Sequence, residues 1–283
     1  MEVQFRPLDG VIGAEILNVD ITRPMDVDTY SQVRRIWLDH CIVLFRDQDL
    51  DPDQLVAFGR QWGEIEMHTL SAYHMPGRPE VFVNSNIVKG DKPIGAQKSG
   101  RFWHSDSQFI EIPSSATILH AKQVPSKEGD TQYANMYLAY EALSEETRRR
   151  ITGLRGVYSR VKSWTVAYTN RKPMSEEEKA RFPDVEHPIV RTHPETQRKA
   201  LYIGSLTELK EIVGLPGDEG DALAKRLYDF ATQDRFVYSH RWNIGDTIVW
   251  DNRCTIHRAM PFDEQKYDRL MHRVTIQGDA PFL

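Results

Sequence analysis

The stretch Arg269-Leu270-Met271-His272-Arg273-Val274-Thr275-Ile276-Gln277 alternates in character with a period of two. Successive side chains of a β-strand point to opposite faces. Arg273, Thr275 and Gln277 therefore share one face, and Val274 and Ile276 the other. The same register carried backwards puts Arg269, Met271 and Arg273 together. Shorter runs rich in β-branched and aromatic residues recur at 41–45, 81–84, 116–121, 189–192, 200–203 and 247–250. Many short strands spread over the whole length predict a mainly β sandwich or jelly roll with helices packed outside it.

The helices have their own signals. Tyr30, Val33, Ile36, Trp37 and His40 recur at helical spacing. Asp51-Pro52 supplies an N-cap and a first-turn proline, after which Leu55, Phe58 and Trp62 share one face. Asn135 precedes Met136, Ala139, Tyr140 and Leu143. Ser175 with Glu178 is a capping-box pattern, and Leu223, Leu227 and Phe230 form a further stripe. The polar, irregular stretch 160–182 reads as a surface loop, with an active-site lid as the alternative. No repeat, low-complexity tract or Gly/Ser linker interrupts the chain, so one domain over 1–283 is expected.

Of the 283 residues, 40% are apolar and 27% charged, as in an ordinary globular protein. The net charge of −5 leaves no basic surplus for phosphate contacts, so nucleic acid is not an expected partner. No run approaches 18 apolar residues, and no membrane partner is expected. Residues 1–10 carry Glu2, Arg6 and Asp9 and lack the apolar core of a secretory signal. Two distant cysteines, Cys41 and Cys254, are expected to be buried thiols rather than a disulfide, in a cytoplasmic protein.

Arg101-Phe102-Trp103-His104-Ser105-Asp106 is the most informative segment for chemistry. On a strand, His104 and Asp106 would share a face with Cα atoms roughly 6.6 Å apart, close enough for both side chains to reach one ion. Among ten histidines, His257, just after a predicted strand, is the best placed third ligand. Two histidines and a carboxylate on one side of an ion leave positions open, as in non-haem iron(II) oxygenases. An H-x-D tripeptide alone is weak, and a hydrogen-bonded surface pair is its ordinary alternative. Arg269 and Arg273 lie roughly 13 Å apart on one face. They suit two different anions, because guanidinium binds carboxylate through two parallel hydrogen bonds. The competing reading is an edge strand whose arginines face water. His120, His187, His193, His240 and His272 read as structural. His68 and Tyr73 follow the Trp62 helix in a loop that either lines a pocket or lies on the surface.

Several stretches together resemble the taurine dioxygenase / 2,4-dichlorophenoxyacetate dioxygenase family of iron(II)- and 2-oxoglutarate-dependent enzymes. They are Trp103-His104-Ser105-Asp106, Gly129-Asp130-Thr131, Val190-Arg191-Thr192-His193-Pro194-Glu195-Thr196, Arg241-Trp242-Asn243-Ile244-Gly245-Asp246, Trp250-Asp251-Asn252-Arg253 with His257, and Arg269-Leu270-Met271-His272-Arg273. They occur in order and span nearly the whole chain. The resemblance implies a double-stranded β-helix (a cupin-like jelly roll) and Fe(II), 2-oxoglutarate and O2 as cofactor and cosubstrates. It implies His104, Asp106 and His257 as iron ligands. Arg269 and Thr131 would meet the far carboxylate of 2-oxoglutarate, and Arg273 the anionic end of the substrate. Related halogenases lack the carboxylate ligand; Asp106 is present here, which implies hydroxylation. The run Phe236-Val237-Tyr238-Ser239-His240-Arg241-Trp242-Asn243 and the motif Asp251-Asn252-Arg253-Cys254 with His257-Arg258 look more like the phenoxyalkanoate branch. His68 and Tyr73 fall near positions that contact taurine in its enzyme.

The expected partner is a small anionic organic substrate, foremost an aryloxyalkanoate such as 2,4-dichlorophenoxyacetate, and the expected assembly is a homo-oligomer. Taurine, another alkylsulfonate or a sulfate ester is the alternative substrate. A zinc hydrolase using the same triad and a non-catalytic jelly-roll binding protein are the readings from other classes.

Overall fold

The computed structural model describes residues 1–167 and 172–283. The alternating C-terminal run forms the Leu270–Ile276 strand. It lies inside a nine-stranded sheet, between Ala116–Gln123 and Arg78–Ser85, which removes the edge-strand reading. Arg273 sits opposite Leu119 on one side and Phe82 on the other. The sheet continues from Ala116–Gln123 through Thr247–Asp251 and Ile42–Phe45 to Ala14–Ile16 and Phe5–Pro7. Only Ala14–Ile16 and Ile42–Phe45 pair in parallel among the described strands of this sheet. A second sheet, Val237–His240, Thr131–Asn135 and Thr255–Ala259, faces the first. This is the jelly roll.

The large sheet is covered on both sides. Ile42, Leu44, Leu119, Ile248, Trp250 and Met271 pack into a core shared with Tyr133, Ala134 and Ile256 of the small sheet. The intervening Val43, Phe45, Ile118, Val249, Val274 and Ile276 pack against Trp37, Phe58 and Trp62 of the N-terminal helices. Strands buried on both faces carry continuous apolar runs, which is why 41–45 and 247–250 show so little alternation. Truncating a residue such as Ile118, wholly buried here, costs about 2–5 kcal/mol.

The helix Val27–His40 starts where the Asp26 carboxylate accepts from the Thr29 N–H. It ends at Cys41, whose left-handed φ of 64° moves the start of the expected 41–45 strand to Ile42. Asp51 and Gln54 cap Pro52–Trp62 reciprocally. The runs after Asn135, Ser175 and Pro216 form Met136–Glu141, Glu176–Ala180 and Gly217–Ala231. The stretch 160–182 is more regular than the surface loop expected: it begins with the helix Arg160–Ala167 and includes Glu176–Ala180, which starts at the expected Ser175 capping box, while 168–171 lie outside the described residues. The run 189–192 breaks at Ile189, between Val185–Pro188 and Val190–Thr192, which belong to different sheets. Both cysteines are free and buried. Among the described residues no helix is long and apolar enough to cross a membrane.

Candidate metal centre and active site

His257 follows the expected strand, Thr247–Asp251, and is itself the third residue of the next, Thr255–Ala259. His104 joins it through two reciprocal backbone hydrogen bonds, His104 N–H to His257 O at 3.0 Å and His257 N–H to His104 O at 2.9 Å. The expectation that His104 and Asp106 share a strand fails. His104 makes only this isolated bridge, and the chain turns at Asp106 into Ser107, whose φ is 57°. Tertiary contacts bend it. The Ser105 hydroxyl donates to Asn252 O at 2.8 Å, the Asp106 N–H to Asn252 Oδ1 at 3.3 Å, and the Ser107 hydroxyl to Glu66 at 2.7 Å.

The three side chains nevertheless converge. One ligand atom from each of His104, Asp106 and His257 lies within 4.8 Å of the others. Asp106 Oδ1 is 3.6 Å from His104 Nε2 and 3.9 Å from His257 Nε2. Two atoms each about 2.1 Å from one ion stand roughly 3–4 Å apart, so the spacing fits a shared metal. His104 Nδ1 donates to Phe102 O at 2.7 Å, leaving the Nε2 lone pair to face Asp106. Burial lowers the pKa of both imidazoles and keeps them in the neutral, ligating form. Gly100 has a φ of 74°, and a β-carbon there would come within 3.3 Å of His104 Cε1. The positive φ and the close packing of backbone on the His104 ring both favour glycine.

Asp106 is buried yet ionised. Burial alone would raise its carboxyl, but the Arg273 guanidinium, the two histidines and the Thr117 hydroxyl together hold it well below the usual range. Arg273 Nη2 approaches Asp106 Oδ1 at 3.0 Å, and Thr117 donates to Oδ2 at 2.6 Å.

Arg269 and Thr131 face the same cavity as the triad, about 120 Å³ in volume. The Arg269 backbone is anchored by Asn86 and Ser85, but its Nε has no partner among the described residues. Burial pushes its pKa down to about 10. A buried guanidinium without a carboxylate is costly unless an anion is supplied from outside. The arrangement therefore fits a carboxylate end of a dicarboxylate. Thr131 Oγ1 already accepts from Trp242 Nε1 at 2.9 Å, which turns its own proton to another acceptor.

His68 lines the cavity and stacks on Phe82, with ring centroids 3.7 Å apart. Its Nδ1 accepts from the Leu70 N–H, and burial followed by Arg273 and Arg160 pushes its pKa down to about 2. The neutral ring thus carries its hydrogen on Nε2. Tyr73 stands one layer out, in a neighbouring groove with Trp164, Met174 and Phe182. The five histidines read as structural lie outside the cavity; His193 and His240, for instance, pair with Asp251 and Asp246 at 3.0 Å. Sequence reasoning missed Glu66, Phe82, Phe109, Arg160 and Glu208 in the cavity wall. Arg160 stacks over Phe109 at 4.5 Å, and burial pushes the Glu208 carboxyl up to about 7.

Comparison with known proteins agrees with this geometry. Residues 4–275 match the family described as "Taurine catabolism dioxygenase TauD, TfdA family". The chain is 31% identical over 291 residues to the alpha-ketoglutarate-dependent 2,4-dichlorophenoxyacetate dioxygenase of Cupriavidus pinatubonensis (strain JMP 134 / LMG 1197), covering 99% of each. It is 29% identical over 287 residues to the alpha-ketoglutarate-dependent sulfate ester dioxygenase of Pseudomonas putida, covering 99% of this chain and 91% of that one. The crystal structure of AAD-2 in complex with Mn(II) and N-oxalylglycine superposes with a TM-score of 0.85 at 30% identity, over the full length of both chains.

Proposed function

The chain belongs to the TauD/TfdA family of 2-oxoglutarate-dependent dioxygenases, and from that premise we propose that it hydroxylates an aryloxyalkanoate, with His104, Asp106 and His257 as its iron ligands. It is an Fe(II)-, 2-oxoglutarate- and O2-dependent enzyme, which sets aside the zinc-hydrolase and binding-protein readings. The bound metal, 2-oxoglutarate and O2 supply the oxidising chemistry; the protein contributes position.

One observation supports the substrate class: Arg273 sits beside Asp106 in a cavity that also has the aromatic walls Phe82 and Phe109. In this reading Arg273 and the His68 Nε2–H hold the substrate carboxylate, and the two rings receive the aryl group. Arg269 and Thr131 hold the far carboxylate of 2-oxoglutarate. Fixing both anions selects the C–H bond next to the ether oxygen. Hydroxylation there gives a hemiacetal that collapses to a phenol and, for an aryloxyacetate, glyoxylate. A second reading, an alkylsulfonate or sulfate ester, is favoured by the presence of two guanidinium groups, Arg160 and Arg273, in the same cavity. The test is a panel of aryloxyacetates, aryloxypropionates, taurine and alkyl sulfates under oxygen, reading succinate together with phenol, sulfite or sulfate. Phenol release is expected. Succinate coupled only to sulfite or sulfate would replace the first reading with the second.

A further inference from the structure

On the Oδ2 side of Asp106 lies a chain of three buried polar groups, of which Trp250 also packs its ring 4.6 Å from that of His257. Trp250 Nε1 donates to Asn252 Oδ1 at 3.0 Å, Asn252 Nδ2 donates to Thr117 Oγ1 at 2.9 Å, and Thr117 Oγ1 donates to Asp106 Oδ2 at 2.6 Å. Trp250, Asn252 and Thr117 are each at most 1% exposed.

The direction of every bond in this chain is determined. An indole nitrogen can only donate, and so can the Asp106 backbone N–H, which also meets Asn252 Oδ1, at 3.3 Å. With two donors on one side, the Asn252 amide must present its oxygen there and its nitrogen to Thr117; the flipped amide would face donors with a donor. An amide nitrogen only donates, so the single Thr117 proton is left to point at Asp106. A carboxylate receives it, the strongest kind of acceptor in this setting.

We propose that Trp250, Asn252 and Thr117 form a one-way hydrogen-bond relay that makes Asp106 a single-oxygen metal ligand, with Thr117 and Asn252 as positioning residues. The inference rests on the metal-centre reading above. The relay engages Oδ2, and Oδ1 is the oxygen turned toward His104 Nε2 and His257 Nε2. With Oδ2 committed to Thr117, a metal is left Oδ1, which faces both histidines and also the Arg273 guanidinium, and a single-oxygen ligand keeps coordination positions free for the cosubstrates. Asn252 also fixes the backbone on which the ligands stand: its Oδ1 takes the Asp106 N–H, and its carbonyl takes the Ser105 hydroxyl.

Titration of the metal-free full-length protein with cobalt(II), followed by visible absorption, tests this without recourse to turnover. Thr117→Val keeps nearly the same shape but removes the hydroxyl; it is expected to weaken cobalt binding about 10–100-fold and to shift the ligand-field bands. Thr117→Ser is expected to restore both. Asn252→Asp keeps the shape and reverses the polarity, since a carboxylate draws the Thr117 proton away from Asp106; it should behave like Thr117→Val. Should Asn252→Asp not fold, Thr117→Val with its serine rescue decides. Wild-type affinity and an unchanged spectrum in Thr117→Val, or no rescue by serine, would overturn the relay. A wild-type protein that takes up no cobalt would instead overturn the metal-centre reading itself.

Discussion

Arg273 Nη2 lies 3.0 Å from Asp106 Oδ1, the same oxygen that faces His104 and His257. The group proposed to hold the substrate thus touches the carboxylate proposed to hold the metal. Its Nε is separately tied to Thr275 Oγ1 at 3.1 Å, so the guanidinium is held from within its own strand.

That contact gives Arg273→Ala effects of opposite sign. Substrate binding loses a charge-assisted partner, and KM for the substrate is expected to rise about 30–100-fold, or roughly 2–3 kcal/mol. Metal affinity is expected to hold or tighten, because a competing positive charge has gone from Oδ1. KM for 2-oxoglutarate should stay unchanged. Steady-state kinetics in both cosubstrates checks this, and equal rises in the two KM values would show that the roles of Arg269 and Arg273 are misassigned.

Arg269 is buried without a carboxylate partner among the described residues. Arg269→Met removes that burden and is expected to stabilise the protein without 2-oxoglutarate by about 1–4 kcal/mol. The same change abolishes the stabilisation that 2-oxoglutarate gives the wild type. Thermal unfolding of both proteins with and without 2-oxoglutarate reads the two effects, and a variant still stabilised by 2-oxoglutarate would remove Arg269 from the cosubstrate site.

Three further buried histidines make stability depend on pH. Burial first, with nearby cations, pushes His120, His187 and His272 down to about 4. Their unfolded pKa is about 6.5, so between pH 6.5 and 4 the unfolded chain binds more protons than the folded one. The stability they allow is complete above pH 6.5 and is lost as pH falls toward 4, by up to about 3 kcal/mol for His120. Urea unfolding at pH 7 and at pH 4.5 is expected to show the loss, with a shallower slope in His120→Gln. A slope unchanged by that substitution would exclude His120 as a source.

The sequence made five strands of the large sheet legible because they are apolar and bounded by turns, but not its two- and three-residue strands Phe5–Pro7, Ala14–Ile16, Ile65–Glu66 and His74–Met75; the helices were legible because Asp51, Asn135 and Ser175 cap them with their side chains. It hid Thr131–Asn135 and Thr255–Ala259, whose polar residues interrupt any apolar run, although these strands carry Thr131 and His257. His104, Asp106 and His257 were identifiable as a set of residue types, but the reason offered for their convergence was wrong. No strand aligns His104 with Asp106; Asn252 and Glu66, 146 and 41 positions away from their partners, bend the chain between and after them. Contacts of that sequence separation leave no local periodicity to read. Arg160 and Glu208 reach the cavity from segments whose composition says only that they are polar.

Anaerobic calorimetric titration with Fe(II) reads whether His104, Asp106 and His257 together hold one iron. One Fe(II) per wild-type chain is predicted, with binding at least about 100-fold weaker in His257→Ala and in Asp106→Ala while their circular dichroism stays that of the wild type. Undiminished iron binding by a folded His257→Ala protein would contradict it.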